Sequence, residues 1–394
     1  MKKLRSIVFW MHLAAGTALG VVILVMSATG VILALKPQIL DIVEHDVRAV
    51  RPPVEAAPRL SPSRILAAAR DAKSGASPVS LLLDRDPLVS AVVGFGRDSA
   101  LFVDPYTGRV LGSGSARAQS FFRVMEDWHR WLAVSAESRA AARAVTGAAT
   151  LAFCGLAVSG VYLWWPRKWC AQHVRAILAF KRGATGRARD FNWHNVIGLW
   201  CAPILVILTV SGVVMSYPWA NALLFRAMGS PPPAVAPADG PARAQGGGER
   251  RHAPGLDVLD RVDDLWARAD QQFPAWRTIA MRLPARAGAP AVFTMTDSRS
   301  WNAFARSQLT LDASTGAVVQ WLPYDDTSLG QKARGWMRYA HTGELGGWPG
   351  QLLAGVACLG GIVLVWTGLA LALRRFFGWR PVKSRLRAYR PVLN

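Results

Sequence analysis

Residues 191–214 read FNWHNVIGLWCAPILVILTVSGVV, and this stretch decides the fold. His194 opens it, a glycine follows four residues later, and the apolar run closes on a hydroxyl residue followed by Gly212. The first apolar stretch of the chain, from His12 to Gly30, follows the same plan over the same 18 residues. On a helix that length is about 27 Å, close to the thickness of a bilayer core. The shared plan predicts two membrane spans and an internal duplication.

Apolar residues make up 52% of the 394 residues, and most of them fall in blocks that are long enough to span a membrane. The four blocks lie at about 7–35, 142–165, 195–218 and 350–373. Four spans place both termini on the same side of the membrane. A cleaved signal peptide is the alternative for the first block, but its apolar run exceeds the usual length of about 7–15 residues and no A-x-A site follows. We therefore expect an uncleaved first span.

The net charge of +21 is located in a few segments, and this argues against nucleic-acid binding. The N-terminus, the connector 166–193 and the tail from residue 374 together hold 17 basic residues and one acidic residue. Each long connector, 36–141 and 219–348, is nearly balanced, with 14 basic and 12 acidic residues. An excess of Lys and Arg in short loops and termini marks the cytoplasmic side. We predict a bacterial inner-membrane protein with both termini cytoplasmic and with no nucleic-acid partner.

Both long connectors carry the same pattern of one helix followed by short strands. The first has a helix near 63–73, and the second has an amphipathic helix near 256–273. The strand-like runs are 79–83, 88–95 and 100–103 in the first connector and 278–283, 291–296 and 303–311 in the second. The fold class predicted is an α-helical integral membrane protein with four transmembrane helices as two parallel repeats and two periplasmic α+β modules. Such repeats imply a pseudo-two-fold axis along the membrane normal.

The prediction divides the chain into eight segments. They are transmembrane helix 1 at 1–35, periplasmic module 1 at 36–138, transmembrane helix 2 at 139–165, a cytoplasmic basic connector at 166–193, transmembrane helix 3 at 194–218, periplasmic module 2 at 219–345, transmembrane helix 4 at 346–375 and a cytoplasmic basic tail at 376–394.

Four histidines stand at or just before the starts of the four spans. His12 and His194 belong to the cytoplasmic ends of spans one and three, and His129 and His341 precede spans two and four on the outer side. The duplication makes the members of each pair equivalent, so each pair can face across the axis. Two facing imidazoles from different helices can ligate a haem iron axially. The alternative for a single histidine at the membrane–water interface is that it only suits a boundary between apolar and polar surroundings and binds no metal.

A small pair, Ser or Thr followed by Gly, lies in every span at the end away from its own histidine. We expect these glycines to make room for a flat macrocycle, with the inner histidines level with Gly160 and Gly368 and the outer ones level with Gly30 and Gly212. Packing between helices is the alternative role for such small residues.

Arginines near the histidines are candidates for binding haem propionates. Arg130 and Arg338 are the outer candidates, and Arg189 and Arg374 are the inner ones. Interfacial arginines that only extend their charged ends to the membrane surface are the alternative.

Two turns carry a further signature, Asp104-Pro105-Tyr106-Thr107-Gly108 and Asp312-Ala313-Ser314-Thr315-Gly316. These D-x-[YS]-T-G turns resemble PepSY domains. Together with spans that open on His and close on Ser/Thr-Gly, they make the whole chain resemble the PepSY-associated transmembrane family, also called iron-regulated membrane proteins. The resemblance implies that the four paired histidines are axial ligands of haem b, with one haem for each of the two pairs. The family often has His-Arg at the start of span one, where this chain has His12-Leu13.

The resemblance also implies an oxidoreductase similar to inner-membrane ferric-siderophore reductases. A cytoplasmic reduced flavin or flavoprotein would supply electrons, and a periplasmic ferric siderophore would accept them and release iron(II). Three alternatives stay open: a permease, a scaffold or regulator of a periplasmic protease, and a haem electron conduit to another periplasmic acceptor. The spans show almost no ionisable residue at mid-membrane, which counts against the permease.

Overall fold

The computed structural model describes residues 2–96, 99–165, 175, 178–233, 260–284, 286, 288–300, 302 and 304–378. The chain divides into two compact units. The helical unit comprises residues 1–35, 123–220 and 337–394, and the sheet unit comprises 36–122 and 221–336. Residues 166–174, 176 and 177 of the predicted basic connector lie outside the described residues. So do most of the basic tail 376–394 and most of the Pro/Ala/Gly-rich loop at 229–254.

The helices of the described residues are numbered here in chain order. They are α1 (Lys2–Ala34), α2 (Lys36–Val43), α3 (His45–Arg48), α4 (Pro62–Ala72), α5 (Ala116–Trp131), α6 (Arg139–Trp164), α7 (Gly186–Ser216), α8 (Pro218–Ala227), α9 (Val262–Gln272), α10 (Leu329–Thr342) and α11 (Gly347–Phe377). The strands are β1 (Ser80–Asp84), β2 (Ala91–Gly94), β3 (Ala100–Val103), β4 (Val110–Gly112), β5 (Trp276–Arg282), β6 (Ala291–Asp297), β7 (Arg306–Leu311) and β8 (Val318–Leu322).

The helical unit is built on α1, α6, α7 and α11, which contain the four stretches long and apolar enough to cross a membrane. These helices confirm the four predicted apolar spans. Helices α1 and α7 each pack against both α6 and α11, so the four form a closed bundle in which α6 and α11 are diagonal. Small and branched apolar residues fill the interface, among them Leu205, Leu208, Ala354 and Ala357. Small residues allow membrane helices to approach closely, because packing rather than water exclusion holds them together.

Two further helices enter the helical unit with their C-terminal ends, α5 before α6 and α10 before α11. The turn after α5 has two non-glycine residues in the left-handed region, Leu132 at φ 52° and Ala133 at φ 54°. The turn after α10 uses Gly343 at φ 76°. These sharp turns explain how His129, which precedes the apolar run of span two by more than ten residues, still reaches the bundle.

All eight strands of the sheet unit belong to one antiparallel sheet with the order β4-β3-β2-β1-β5-β6-β7-β8. The sequence predicted a small sheet in each of two modules, and the structure instead joins the two sets of strands through β1 and β5. The register of this central pair is symmetrical about Leu82 and Ala280, with Ser80 opposite Arg282 and Asp84 opposite Thr278. Pairing the two strands removes one exposed edge from each half, and an exposed edge is a site for unwanted association.

Helices α4 and α9 pack together beside the sheet and share one apolar core with it. Ile65 on α4 and Leu265 on α9 are fully buried against strand residues such as Met281 and Phe293. The helices are also joined by a polar contact, because Ser63 donates both its backbone N–H and its hydroxyl to the Asp263 carboxylate, at 2.8 and 2.6 Å. This core confirms the helix predicted near 63–73 and, for the described residues from Val262 on, the amphipathic helix predicted near 256–273.

The two D-x-[YS]-T-G segments form the same turn. In each turn the aspartate side chain accepts the backbone N–H two residues on, at 2.9 Å for Asp104 and 2.8 Å for Asp312. Each turn closes on a glycine in the left-handed region, Gly108 at φ 75° and Gly316 at φ 71°. Hydrogen bonds from the side chain of Ser314 and from its neighbour lower the pKa of Asp312 to about 2.

A buried carboxylate connects two distant segments of the sheet unit. The Glu44 side chain, 3% exposed, accepts hydrogen bonds from Arg48 at 2.6 Å, from Gln119 at 3.0 Å and from the backbone N–H of Ser115 at 3.1 Å. Burial raises the pKa of Glu44, but these hydrogen bonds lower it by more, so its pKa lies below the usual value. The ionised carboxylate therefore stabilises the junction between residues 36–48 and 113–119.

Candidate functional site

The structure brings the first predicted histidine pair together inside the helical unit. His12 on α1 and His194 on α7 face each other with their ring centroids 6.3 Å apart and their planes at 81°. The two residues belong to different helices and are 182 positions apart in the chain. Their contact confirms the predicted pairing of the histidines that open spans one and three.

The second predicted pair also meets. His129 near the end of α5 and His341 near the end of α10 lie with their ring centroids 6.2 Å apart and their planes at 66°. Neither histidine lies on a spanning helix itself, so the turns after α5 and α10 place both rings against the bundle. The two pairs therefore have nearly equal geometry, although one is built from spanning helices and the other from the helices that precede them.

Each imidazole is held through Nδ1 by the hydroxyl residue of a Ser/Thr-Gly pair on another helix. The Nδ1 to Oγ distances are 2.8 Å for His12 with Ser159, 2.9 Å for His129 with Thr29, 2.9 Å for His194 with Thr367 and 3.1 Å for His341 with Ser211. The arrangement is reciprocal. Helices α6 and α11 supply the hydroxyls that hold His12 and His194, and helices α1 and α7 supply those that hold His129 and His341.

The direction of these hydrogen bonds follows from the single hydrogen of each hydroxyl. Thr367 donates its hydrogen to the carbonyl of Val363 at 2.7 Å, one turn back on its own helix, and the other three hydroxyls also donate to carbonyls of their own helices. The hydroxyl oxygen must then accept the Nδ1–H of the histidine. His341 confirms this direction, since its Nδ1 also lies 2.9 Å from the carbonyl of Leu208, which can only accept. Nδ1 of each ring thus carries a hydrogen, and in the neutral tautomer with this hydrogen Nε2 has a free lone pair.

The predicted glycines lie directly beside the rings. A Cβ atom added at Gly160 would lie 3.5 Å from Cε1 of His12, and one at Gly368 would lie 3.4 Å from Cε1 of His194. The corresponding distances are 3.7 Å for Gly30 with His129 and 3.4 Å for Gly212 with His341. These contacts confirm the predicted matching of glycines to histidines. A larger side chain at any of the four positions would press on an imidazole.

Each pair offers two imidazole nitrogens that could bind a metal, and the hydrogen bond at Nδ1 fixes the orientation of each ring. All four rings are half-buried, so none is sealed from its surroundings. Within the described residues there is no group of three or more His, Cys, Asp or Glu side chains that could hold a metal ion. A pair of imidazoles alone suits a metal that brings its remaining ligands with it. A hydrogen bond at the other ring nitrogen is the usual way in which a protein fixes a metal-binding histidine.

The predicted outer arginines adjoin the second pair in sequence. Arg130 and Arg338 are both exposed, and each places its guanidinium over the ring of the next residue, 4.4 Å from the Trp131 centroid and 6.0 Å from the Tyr339 centroid. Both guanidiniums are thus held beside an aromatic ring at the ends of the helices that carry the histidines.

The predicted inner arginines are bound to a carboxylate that the sequence did not single out. Asp190, 2% exposed, lies 2.6 Å from Nη1 of Arg374 and 2.9 Å from Nη2 of Arg189. The contact joins α7 to α11, one turn before His194. An anionic ligand that approached Arg189 or Arg374 would compete with this carboxylate.

The sequence predicted the histidines and the glycines, but not the hydroxyl side chains that form hydrogen bonds with the imidazoles. The signal was present, because every one of the four glycines is preceded by Ser or Thr. Ser and Thr are common in membrane helices because their small size allows close packing. Their presence beside the glycines therefore did not by itself predict hydrogen bonds to the histidines.

Four helices long and apolar enough to cross a membrane are the mark of a multi-pass helical membrane protein. The chain belongs to the family described as the PepSY-associated TM region, whose model matches residues 9–375. The match confirms the family that the histidine, Ser/Thr-Gly and D-x-[YS]-T-G motifs predicted. No curated protein matches this chain.

Proposed function

We propose that this protein is a haem-containing reductase of the bacterial inner membrane that passes electrons from a cytoplasmic donor to a ferric siderophore in the periplasm. The observation that carries the proposal is the shared geometry of the two histidine pairs. Each pair presents two neutral imidazoles whose Nδ1 atoms are anchored by hydroxyls, as an axial ligand pair requires.

The distance between the rings supports a single metal centre between them. Metal–imidazole bonds are about 2.0–2.1 Å long, and the ring centroid lies roughly 1.1 Å behind the bonding nitrogen. Two imidazoles on opposite sides of one metal ion therefore have centroids about 6.3 Å apart, and the observed values are 6.3 and 6.2 Å. The angle between the planes is no obstacle, because each ring can turn about its own metal–nitrogen bond.

The residues beside the rings support a flat macrocycle. Gly160 and Gly368 adjoin the first pair, and Gly30 and Gly212 adjoin the second, so backbone rather than side chain borders each imidazole. His12 and His194 would hold an inner haem, and His129 and His341 would hold an outer one. A haem iron with two imidazole ligands supplies reversible one-electron chemistry when bound. The arginines Arg130 and Arg338 would hold the propionates of the outer group.

The arrangement of the chain in the membrane is part of the proposal. The concentration of basic residues in the termini and in 166–193 favours a cytoplasmic location for these segments, which places the sheet unit in the periplasm. The equivalent roles of α1 with α7 and of α6 with α11 support two parallel repeats about an axis along the membrane normal. The two pairs then belong to opposite faces of the membrane.

The two ends of the reaction follow from this orientation. A reduced flavin or flavoprotein is anionic and suits the basic cytoplasmic face. Each ferric ion takes up one electron and becomes iron(II), and a two-electron flavin would therefore serve two ferric ions. Siderophore oxygens bind iron(II) far more weakly than iron(III), so reduction releases the metal without any bond to the protein being formed.

The first test is an optical spectrum of the purified full-length protein, oxidised and dithionite-reduced, with haem quantified per chain. We expect two haems per chain in the wild type, and loss of about half in each of His194→Ala and His341→Ala. His45→Ala, a histidine of the sheet unit, is the matched control and should retain both. Wild-type protein that stays free of haem after expression with ample haem would overturn the proposal.

The second test measures reduction itself. Protein in vesicles would receive reduced flavin on one side and a ferric siderophore with an iron(II) chelating dye on the other. We expect dye colour that depends on both histidine pairs. Haem that is reduced by flavin but leaves every ferric siderophore unreduced would instead indicate another periplasmic acceptor.

A further inference from the structure

One residue on each spanning helix, six positions before its hydroxyl, lies between the two histidine pairs, and these four residues are called the apolar layer here. Counting back from Thr29, Ser159, Ser211 and Thr367 gives Ile23, Phe153, Leu205 and Gly361. Six residues of helix rise about 9 Å. Helices α1 and α7 carry hydroxyls for the His129–His341 pair, whereas α6 and α11 carry hydroxyls for the His12–His194 pair. The four residues therefore all lie on the side of their hydroxyl that faces the other pair.

All four residues are apolar; three of them are buried, and Phe153 is partly buried. Ile23 is 2% exposed and Leu205 is 3% exposed, and Gly361 is also buried. Phe153 packs against the apolar cluster that contains Leu205. The polar side chains that hold the histidines lie on both sides of these four residues, and none of the four has a hydrogen-bonding side chain itself.

Phe153 closes the centre of this layer. Its helix α6 and the helix α11 are diagonal in the bundle, yet a Cβ atom added at Gly361 would lie 3.4 Å from Cζ of Phe153. The ring therefore reaches across the bundle to the opposite helix. Ser27 on a third helix, α1, also reaches this position, because its Oγ would lie 2.9 Å from the same added Cβ.

We propose that Phe153 and the apolar layer around it are the barrier that keeps water and protons from crossing the membrane between the two histidine pairs. Water leaves a narrow constriction lined by apolar groups, and such constrictions close membrane pores. A protein with polar, partly accessible sites on both sides of a membrane needs such a barrier, because a continuous wet path would dissipate the proton gradient. This role goes beyond electron transfer and does not depend on which cofactor the histidines hold.

The pairing of Phe153 with Gly361 also explains a difference between the two halves of the chain. The two positions are equivalent in the repeat, each six residues before the hydroxyl of its span, and they meet at the same point. Two phenylalanines would collide there, and two glycines would leave a hole. One large and one absent side chain fill the space, so the phenylalanine should work from either helix.

The experiment uses full-length protein in vesicles that contain a pH-sensitive dye, with valinomycin and potassium present to remove the membrane potential. After an external acid jump, wild-type vesicles should acidify as slowly as vesicles without protein. Phe153→Ala should acidify several-fold faster. Leu151→Ala is the matched control, since Leu151 lies on the same helix and is 46% exposed, and it should stay tight.

The decisive variant exchanges the two residues. Phe153→Gly alone should leak, and Phe153→Gly combined with Gly361→Phe should regain the slow rate of the wild type. A folded Phe153→Ala protein as tight as the wild type would overturn the proposal, and so would a folded exchange variant that stays as leaky as Phe153→Gly. If Phe153→Ala does not reconstitute, Phe153→Leu should show a smaller leak. No donor or siderophore is present, so failure of the proposed reductase function leaves this result unaffected.

Discussion

Thr367→Val tests the chemistry of the first histidine pair at a single atom. Valine keeps the branched shape of threonine and replaces the hydroxyl by a methyl group. In the structure Oγ1 of Thr367 lies 2.9 Å from Nδ1 of His194 and donates to the carbonyl of Val363 at 2.7 Å. The substitution therefore removes the acceptor that holds the ring and disturbs little else in the helix.

The expected effect can be worked from that one contact. A hydrogen bond of this kind contributes about 1 kcal/mol, which corresponds to roughly a fivefold loss of affinity for the haem that His194 would hold under the proposed function. Removal of a hydrogen-bonding partner from a metal-binding histidine typically costs about 10–100-fold. The carbonyl of Leu364 also accepts a hydrogen bond from His194 and would still hold the ring in the variant. We therefore expect a loss of affinity of roughly fivefold rather than one of about 10–100-fold.

The assay follows transfer of haem to an excess of a haem-scavenging protein, read from the Soret band. Thr367→Val should release about half of the haem roughly fivefold faster than the wild type, and Thr367→Ser should behave like the wild type. The matched control is Thr17→Val. Thr17 lies on α1, is exposed and makes the same bond to its own helix, to Leu13 at 2.8 Å, without a histidine. Equal release from Thr367→Val and the wild type, or an equal effect of Thr17→Val, would refute the reasoning.

Three further substitutions test other contacts. Gly368→Val should press on the imidazole of His194, which lies 3.4 Å from the added Cβ, and should lower the haem content at one of the proposed sites. Gly155→Val is the control, because nothing lies within 4 Å of its added Cβ, and it should leave the haem content unchanged. Pyridine haemochrome assays would check both variants. Asp190→Ala removes the carboxylate that lies 2.6 Å from Arg374, which is 11% exposed. The melting temperature in detergent should fall by several degrees, because breaking a buried ion pair costs about 3–5 kcal/mol; no fall would show that the pair contributes nothing. Glu44→Gln should cost about 1–3 kcal/mol at neutral pH. Because the folded pKa of Glu44 is lowered, its contribution is full above the unfolded-chain value of about 4.3 and is lost as the pH falls through the folded value. The difference in melting temperature between Glu44→Gln and the wild type should therefore narrow as the pH is lowered through the acid range, and a difference that widens there would contradict this.

The spans, strands and turns were predictable from local signals. Apolar blocks of sufficient length mark membrane helices, and the D-x-[YS]-T-G segments fix two turns through their aspartate and glycine. The pairing of β1 with β5 was not predictable. Alternating residues specify which face of a strand is buried, but they do not name the partner strand.

The candidate site was predictable in its histidines and glycines, because the duplication places them alike in both halves. The hydroxyls were visible in the sequence, but nothing there shows that Ser159 faces His12 rather than a neighbouring helix or lipid. The contact between Phe153 and Gly361 was hidden for a similar reason. It joins helices that are not neighbours, and a helical period gives only the direction in which each residue points.

The central strand pair of the sheet has a consequence for the order in which the chain is made. Leu82 in β1 finds its partner Ala280 only 198 residues later, so at a synthesis rate of roughly 5–20 residues per second β1 waits about 10–40 s for β5. During that time the ribosome also delivers α6 and α7, which must enter the membrane. Until β5 is made, the edge of β1 has unpaired backbone N–H and C=O groups. A nascent-chain chaperone that shields such edges would act in this interval.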